Sequence, residues 1–290
     1  HTHTHTHTHT HTQSKSHTQK GQTRRKKFNP KTTTIMAKSS PTLEELQEIC
    51  LLGSNSRGTH VTLVKDSTTT PTGVKYRYYA VKMIKKAAIK TQKEVEHVYN
   101  EKSALATLDH RRIISLHNTY KSEEHLHLLV DFANGLPLNK VLELAGGGVS
   151  QSFTRLIIGQ IVDAFGYMHK CGYVYRDLKA SNIIIDSCGW ARVIDLGMVK
   201  SVKEGKATTL CGTYHAMAPE VIEQFAGGYS FGADAYTIGI LLFELLTGKP
   251  PFGYNAEDRE QWILKKQRPV EELLDGLIWD DGCKEVFVGL

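Results

Sequence analysis

"VYRDLKASNIIID" (174–186) sets Asp177, Lys179 and Asn182 between two apolar runs. Just upstream, "SQSFTRLIIGQIVDAFGYMHKCG" (150–172) repeats Phe153, Leu156, Ile157, Ile161, Ala164, Phe165 and Met168 at the helical period. Just inside and beyond, "NIIID" and "ARVIDL" read as short strands flanking a turn at Gly189. The polar trio therefore belongs to a loop between a helix and a small strand pair. The chemistry it serves has to be read from the rest of the chain.

Working outward, "SSPTLEEL" (39–46) reads as a helix start, with hydroxyls at the cap, an early proline and acids in the first turn. From about 50 to 84 the text turns to strands: "HVTLVKD" and "YRYYAVKMI" are β-branched and aromatic, and "STTTPTG" (67–73) between them reads as a loop. "KEVEHVYNEKSALATL" (93–108) is helical, with Val95, Val98, Leu105 and Leu108 on one side, and "LHLLVDF" (126–132) is a buried strand. "GADAYTIGILLFELLTG" (232–248) is apolar nearly all round, as a central buried helix should be. Strands first and helices afterwards, with a join near 131–138, predict an α+β molecule of two lobes with a ligand cleft between them.

Composition excludes several classes. Among 290 residues no apolar run approaches the ~18–20 needed to span a bilayer, and no apolar N-terminal signal is present. Five scattered cysteines without a Cys-x-x-Cys pair predict reduced thiols and a cytoplasmic or nuclear location. The net charge of +6 is misleading, because residues 1–40 hold eight Lys/Arg and no acid, leaving 28 bases against 30 acids in the body. A nucleic-acid binder carries its basic excess on the folded domain, so no nucleic-acid partner is expected. The tail opens with six His-Thr dipeptides, the product of a cytosine–adenine repeat read in one frame. It is expected to be upstream sequence read through to a natural start at Met36. The rivals are an unstructured tail, a metal-binding His tract, or a nuclear address at "RRKK" (24–27). Sequencing the native N-terminus separates them.

Phosphoryl transfer asks a protein mainly for positioning and charge neutralisation: a cover for the phosphates, a cation, ligands for Mg²⁺, and a carboxylate at the nucleophile. "VYRDLK", "TLCGT", "MAPEVI" and "LLFELLTGKPPF" carry a resemblance to the protein-kinase family from about residue 45 to the end. Within that family the chain is most similar to the basophilic, AGC-like Ser/Thr kinases related to the cyclic-nucleotide-dependent enzymes. The resemblance implies a bilobal kinase-like fold. Residues 1–40 are then a tail, 41–133 a small β-rich N-lobe with one key helix, and 134–290 a larger helical C-lobe that stops before the family's last helices.

It also assigns roles. Lys82 in "YAVKMI" takes the place of the phosphate-binding lysine, and Glu101, nineteen residues on, that of its ion-pair partner. Asp177 would accept the substrate proton and Lys179 would neutralise the transferring group; Lys at this position resembles Ser/Thr rather than Tyr kinases. Asn182 and Asp195 would hold Mg²⁺ through hard oxygens. ATP would lie against Gly53, Asn55, Gly58, Val61, Ala80, Lys82, Val130, Asp131, Ala133, Ile184 and Asp195. Thr213 is expected beside Asp177 and Lys179, and Asp234 is expected to tie down the catalytic-loop backbone. Leu196 replaces the usual Phe and keeps an apolar packing role. Thr209 matches an activation phosphosite for an upstream kinase, with Arg176, Lys200 and His97 as its cations.

The departures matter as much. In "LLGSNSRGTHV" the family's three glycines become Gly53, Asn55 and Gly58. A positive φ costs an ordinary residue roughly 1–2 kcal/mol, so Asn55 is expected to slow the enzyme or weaken ATP binding without abolishing activity. Basophilic relatives grip upstream arginines with acids; here those positions read Pro137, Ser181 and His215, and only Glu244 remains acidic. A weak or altered arginine preference follows. The chain ends at "CKEVFVGL" before the arginine that pairs with Glu220 in the family, so it reads as a fragment or an incomplete gene model. The resulting expectation is an Mg·ATP-dependent protein Ser/Thr kinase. The alternatives are a kinase-fold scaffold with little activity, and a nucleic-acid or metal-binding module acting through the tail.

Overall fold

Val, Ile, Thr and aromatic residues dominate the first half and pair as strands: β1 (Gln47–Ser54), β2 (Thr59–Thr70), β3 (Gly73–Lys85), β4 (Leu116–Lys121) and β5 (His125–Asp131). They form one antiparallel sheet in the order β1-β2-β3-β5-β4. The computed structural model describes residues 1, 40–55, 58–70, 73–203, 205–224, 226–255, 258–274, 277 and 279–289. The His-Thr tract beyond His1, the "RRKK" run and Met36 lie outside the described residues, and residues 40–290 form one compact unit.

Helix α1 (Gln92–Thr107) follows β3 and starts at a reciprocal capping box. The Thr91 hydroxyl accepts from the Glu94 amide at 3.2 Å, and the Glu94 carboxylate accepts from the Thr91 amide at 2.9 Å. Of the four apolar residues expected on its inner side, Leu105 and Leu108 are buried, whereas Val95 is exposed.

After β5 the chain crosses into a helical half. In order come β6 (Gly135–Pro137), α2 (Leu138–Ala145), α3 (Gln151–Lys170), β7 (Tyr173–Val174), β8 (Ile183–Asp186), β9 (Ala191–Val193) and β10 (Lys200–Ser201). Helices α4 (Pro219–Ile222), α5 (Phe231–Thr247), α6 (Arg259–Lys266), α7 (Val270–Leu274) and α8 (Asp281–Gly289) follow. β6, β8 and β9 form a second small sheet, and β10 pairs with β7. α5 is buried along most of its length, as its apolar text requires, and packs on α3.

Two local expectations are corrected. Among the described residues of the 39–46 segment there is only a single 3₁₀ turn, Leu43–Glu45, before the chain extends into β1; Leu46 already packs against the sheet cluster of Val64 and Leu129. The 67–73 "loop" is mostly strand, because β2 runs to Thr70 and β3 starts at Gly73, pairing Ser67 with Tyr76 and Thr70 with Gly73. Threonine is β-branched and favours an extended backbone. Leu156 keeps the helical period of α3 but is half-exposed, beside the turn at Gly189.

The two halves share one apolar cluster. Ala80, Leu105 and Val130 from the sheet side join Phe165, Leu178, Ile183 and Leu196 from the helical side. Each fully buried Leu, Ile or Phe contributes about 1.5–3 kcal/mol, so this seam fixes the loops that border it. A second cluster, with Met217, Ile222, Tyr229, Phe252 and Trp262, supports the chain between residues 207 and 222.

Candidate active site

Strand pairing sets the first cation. β3 lies between β2 and β5, with Lys82 opposite Val61 and Leu128, so its side chain projects toward the seam between the halves. Its ammonium meets Glu101 of α1 at 2.5 Å and Asp195 at 2.9 Å. Burial disfavours charge on Lys82, yet the two carboxylates outweigh it and hold the ammonium above the ordinary lysine range. Glu101 is pushed up by burial, against the pull of Lys82 and helped by Asp195. Asp195 is raised by burial but lowered further by Lys82, so its carboxyl sits below its ordinary value. Its side chain keeps 46% exposure at the cleft while Glu101 keeps 6%, so Asp195 is the carboxylate available to a ligand.

Gly197 makes this approach possible. Its amide donates to Asp195 Oδ1 at 3.0 Å, and a Cβ there would stand 3.1 Å from that same oxygen. Leu196, between them, is fully buried, so it fills the packing role expected of it.

Asp177 sits at the centre of a second network. Thr213 donates to its Oδ1 at 2.7 Å, Lys179 to its Oδ2 at 2.8 Å and to Thr213 Oγ1 at 3.1 Å. The Asn182 amide nitrogen donates to the Asp177 carbonyl at 2.9 Å and to Oδ2 at 3.2 Å, leaving Asn182 Oδ1 as an acceptor for a ligand. The Lys179 charge acts on Asp195, and both Asp177 and Asp195 act on the buried Tyr175 phenol, so the two networks lie close to one another. Oxygens from Asp195 and Asn182 beside two lysines form a donor set suited to Mg²⁺ and to a polyphosphate.

Asp234, fully buried at the start of α5, accepts from the backbone amides of Tyr175 and Arg176 and from His169 Nε2, each at 2.8 Å. Arg176 has φ 74°, a left-handed conformation costing an L-residue about 1–2 kcal/mol. Asp234 holds that strained residue, which immediately precedes Asp177.

The remaining expected ligand contacts divide. Val61, Ala80 and Val130 lie in or against the shared cluster, and Ala80 pairs directly with Val130. Ile184 alternates with Ile183 and Ile185 and pairs with Pro137, and Ala133 is half-buried just past β5. The Asp131 carboxylate is engaged elsewhere: His117 at 2.7 Å, the Ser115 amide at 3.1 Å and Arg192 at 2.7 Å. At the tip of the β1–β2 hairpin, Asn55 does not carry a positive φ. Among the described residues the left-handed position there is Gly58, at φ 78°. The Asn55 carbonyl accepts from Gly58, while its amide and Oδ1 pair with the backbone of Thr59 at 3.0 Å. The expected penalty at Asn55 is therefore absent. Gly53 has open space where a side chain would point.

Arg176 donates to the Met198 carbonyl at 2.6 Å and to Tyr229 Oη at 3.1 Å, and that hydroxyl donates to the Thr209 carbonyl at 2.6 Å. Arg176 thus reaches Thr209 through Tyr229. Lys200 lies 3.7 Å from Glu96, which precedes His97 on α1. Tyr229 escaped the sequence reading because it stands twenty residues beyond Thr209 in a segment with no periodic pattern. Glu220 forms no ion pair among the described residues. No helix among the described residues is long and apolar enough to cross a membrane.

The family model described as "Protein kinase domain" matches residues 52–278. Curated relatives include cGMP-dependent protein kinase 2 of Rattus norvegicus, 37% identical over 175 residues, covering 60% of this chain and 23% of that protein. A Drosophila melanogaster cGMP-dependent protein kinase (isozyme 2, forms cD5/T2) is 32% identical, covering 81% of this chain and 24% of its own length. The cAMP-dependent protein kinase catalytic subunit of Dictyostelium discoideum is 36% identical over 72% of this chain and 31% of its own. The chain thus spans between 23% and 31% of the length of these three relatives.

Proposed function

Because the chain belongs to the protein kinase domain family, we propose that it moves the γ-phosphoryl group of ATP, with Mg²⁺, onto serine or threonine hydroxyls of proteins. The observation that carries this reading is Lys82 held between Glu101 and Asp195, with the Asp177–Lys179–Thr213 network close by. Lys179, at a position where the sequence resembles Ser/Thr rather than Tyr kinases, favours Ser/Thr acceptors.

Each side chain then has a task. Lys82 binds the α- and β-phosphates and is kept charged by its two carboxylates. Asp195 and Asn182 Oδ1 are the oxygens that would hold Mg²⁺, whose charge offsets that of the phosphates. Asp177 accepts the proton of the attacking hydroxyl, oriented by Thr213 and Asn182. Lys179 neutralises charge on the group in transit. A bond forms between the acceptor oxygen and the γ-phosphorus as the β–γ bridge breaks, and ADP leaves. Phosphorylation of Thr209 by an upstream kinase is part of the proposal; its support is the short path from the Thr209 carbonyl through Tyr229 to Arg176, the residue beside Asp177.

Transfer of labelled phosphate from Mg·ATP to a Ser/Thr protein substrate tests the reading. Asp177→Asn is expected to lower transfer about a hundredfold or more, and Asp195→Ala to remove both transfer and the ATP-induced thermal shift. A wild-type chain that binds Mg·ATP yet incorporates no phosphate would refute it.

A further inference from the structure

Beside Lys179 the helical half opens into a cavity of about 370 Å³, walled in part by Glu143, Ser181, His215, Glu244 and Tyr254. Lys179 holds Asp177 at 2.8 Å, so a peptide that presents its hydroxyl to Asp177 lays neighbouring residues along this cavity. A buried carboxylate in such a wall would ordinarily attract a substrate cation, because an uncompensated buried charge is costly.

Glu244 is that carboxylate. It lies on α5 at 6% exposure, and among the described residues it has no cationic partner. Its Oε1 instead accepts a hydrogen bond from Tyr254 Oη at 2.8 Å. Tyr254 belongs to the loop after α5, and its ring meets the His215 imidazole edge-on at 5.2 Å between centroids. Tyr254 is itself half-exposed; its partial burial, then the bond and the charge of Glu244, raise the phenol to about 12, so it remains a donor at neutral pH. Burial raises Glu244 as well, partly opposed by Tyr254.

The rest of the wall gives a cation little help. Glu143 is exposed and paired with Lys140 at 2.6 Å. Lys179 adds positive charge on the catalytic side, and burial, then Lys266 and Lys179, push the His215 imidazole toward its neutral form.

We propose that Tyr254 is a selectivity lock on this cavity: its hydroxyl occupies the Glu244 oxygen that a basic substrate side chain would otherwise take, so neutral hydrogen-bonding side chains are accepted in preference to arginine or lysine. An arginine fork grips a carboxylate through both oxygens at once, and the Tyr254 hydroxyl competes with it for Oε1. The lock rests on the kinase reading above for the identity of the peptide, but its geometry can be tested without transfer.

The test uses the full chain as wild type, Tyr254→Phe, and Tyr254→Phe with Glu244→Gln. Paired peptides carry arginine or its neutral isostere citrulline in turn at each of six positions before the acceptor. Calorimetry measures binding, and labelled ATP measures transfer. The wild type is expected to show an arginine-to-citrulline ratio near or below one. Tyr254→Phe raises that ratio about three- to tenfold at one position, the worth of a freed hydrogen-bonding site. Glu244→Gln in the same chain cancels the gain. A ratio unchanged by Tyr254→Phe at every position, a gain that survives Glu244→Gln, or the absence of binding by every peptide would each overturn the lock. A raised binding ratio without transfer from any peptide would leave the lock standing and remove the kinase reading; transfer with an unchanged ratio would do the reverse.

Discussion

Replacing Asp234 by asparagine keeps the volume and removes one acceptor and one charge at a fully buried position. Three donors converge on that carboxylate: the amides of Tyr175 and Arg176 and the His169 imidazole. With the asparagine oxygen placed where Oδ2 stands, Tyr175 and His169 keep their acceptor, and the new NH₂ faces the Arg176 N–H. A hydrogen bond to a charged acceptor is lost, worth about 1.5–3 kcal/mol, and a buried donor is orphaned. These costs overlap, and about 3 kcal/mol is the reasonable sum. For a chain of this size about 2 °C in Tm accompanies each kcal/mol, so melting should fall by about 6 °C or more. The left-handed Arg176 (φ 74°) then loses its restraint and relaxes by roughly 1–2 kcal/mol, dragging Asp177 out of line. Misplacement of a reacting group by about 1 Å costs on the order of a hundredfold in rate. Calorimetry and labelled-phosphate transfer read the two effects separately. A variant melting within about 1 °C of the wild type, with an unchanged transfer rate, would refute the reasoning.

Glu101→Gln leaves Lys82 with Asp195 as its only carboxylate, and is expected to lower transfer about tenfold, or about 1.4 kcal/mol, in an ATP titration. Asp131 is raised by burial, but its bonds to His117 and Ser115 and the Arg192 charge bring it from 3.8 to about 2. A depressed carboxyl stabilises fully above its unfolded value and loses that contribution as pH falls toward the folded one. Asp131→Asn should therefore cost about 2 kcal/mol at pH 7, with the gap closing between about pH 4 and pH 2 in urea titrations. Lys266 has the opposite sign. Burial lowers it from 10.5 to about 7, so the unfolded chain holds more protons between those values and wild-type stability rises with pH across that window. Lys266→Met should stabilise by about 1–3 kcal/mol at pH 6, and the gain should shrink steadily above pH 7; an equal gain at pH 6 and pH 9 would contradict it.

The parts of this molecule that could be read in advance are those set by local periodicity or by a short rigid loop. α3 and α5 follow from apolar spacing, and β3 with α1 brings Lys82 to Glu101 because strand and helix geometry leave little freedom. Asp177, Lys179 and Asn182 are close in sequence and remain close in space. The 67–73 segment was misread because threonine next to proline and glycine suggests a turn, while pairing across the hairpin pulled the threonines into strands. Asn55 was misread for a similar reason: an asparagine between glycines suggests positive φ, but its side chain instead closes the hairpin on Thr59.

What stayed hidden depends on contacts between distant elements. Asp131 draws partners from Ser115, His117 and Arg192, the last sixty-one residues away, and no spacing rule connects them. Lys266 sits at the end of α6, where a lysine ordinarily reaches into solvent and complements the helix dipole. Here its ammonium lies 4.8 Å from the Phe252 ring and 5.1 Å from that of Tyr236, and donates to the His215 carbonyl at 3.1 Å. That carbonyl belongs to the residue whose ring leans on Tyr254, so Lys266, His215, Tyr254 and Glu244 form one path from the second cluster to the cavity wall. The groups assigned to transfer are held by backbone geometry and hydrogen bonds near the seam. The groups assigned to selectivity hang on a loop after α5 and on the packing of α6 beneath it. Changes at Tyr254 or Lys266 can therefore alter which peptide is taken up while leaving the contacts of Lys82, Asp177 and Asp195 in place.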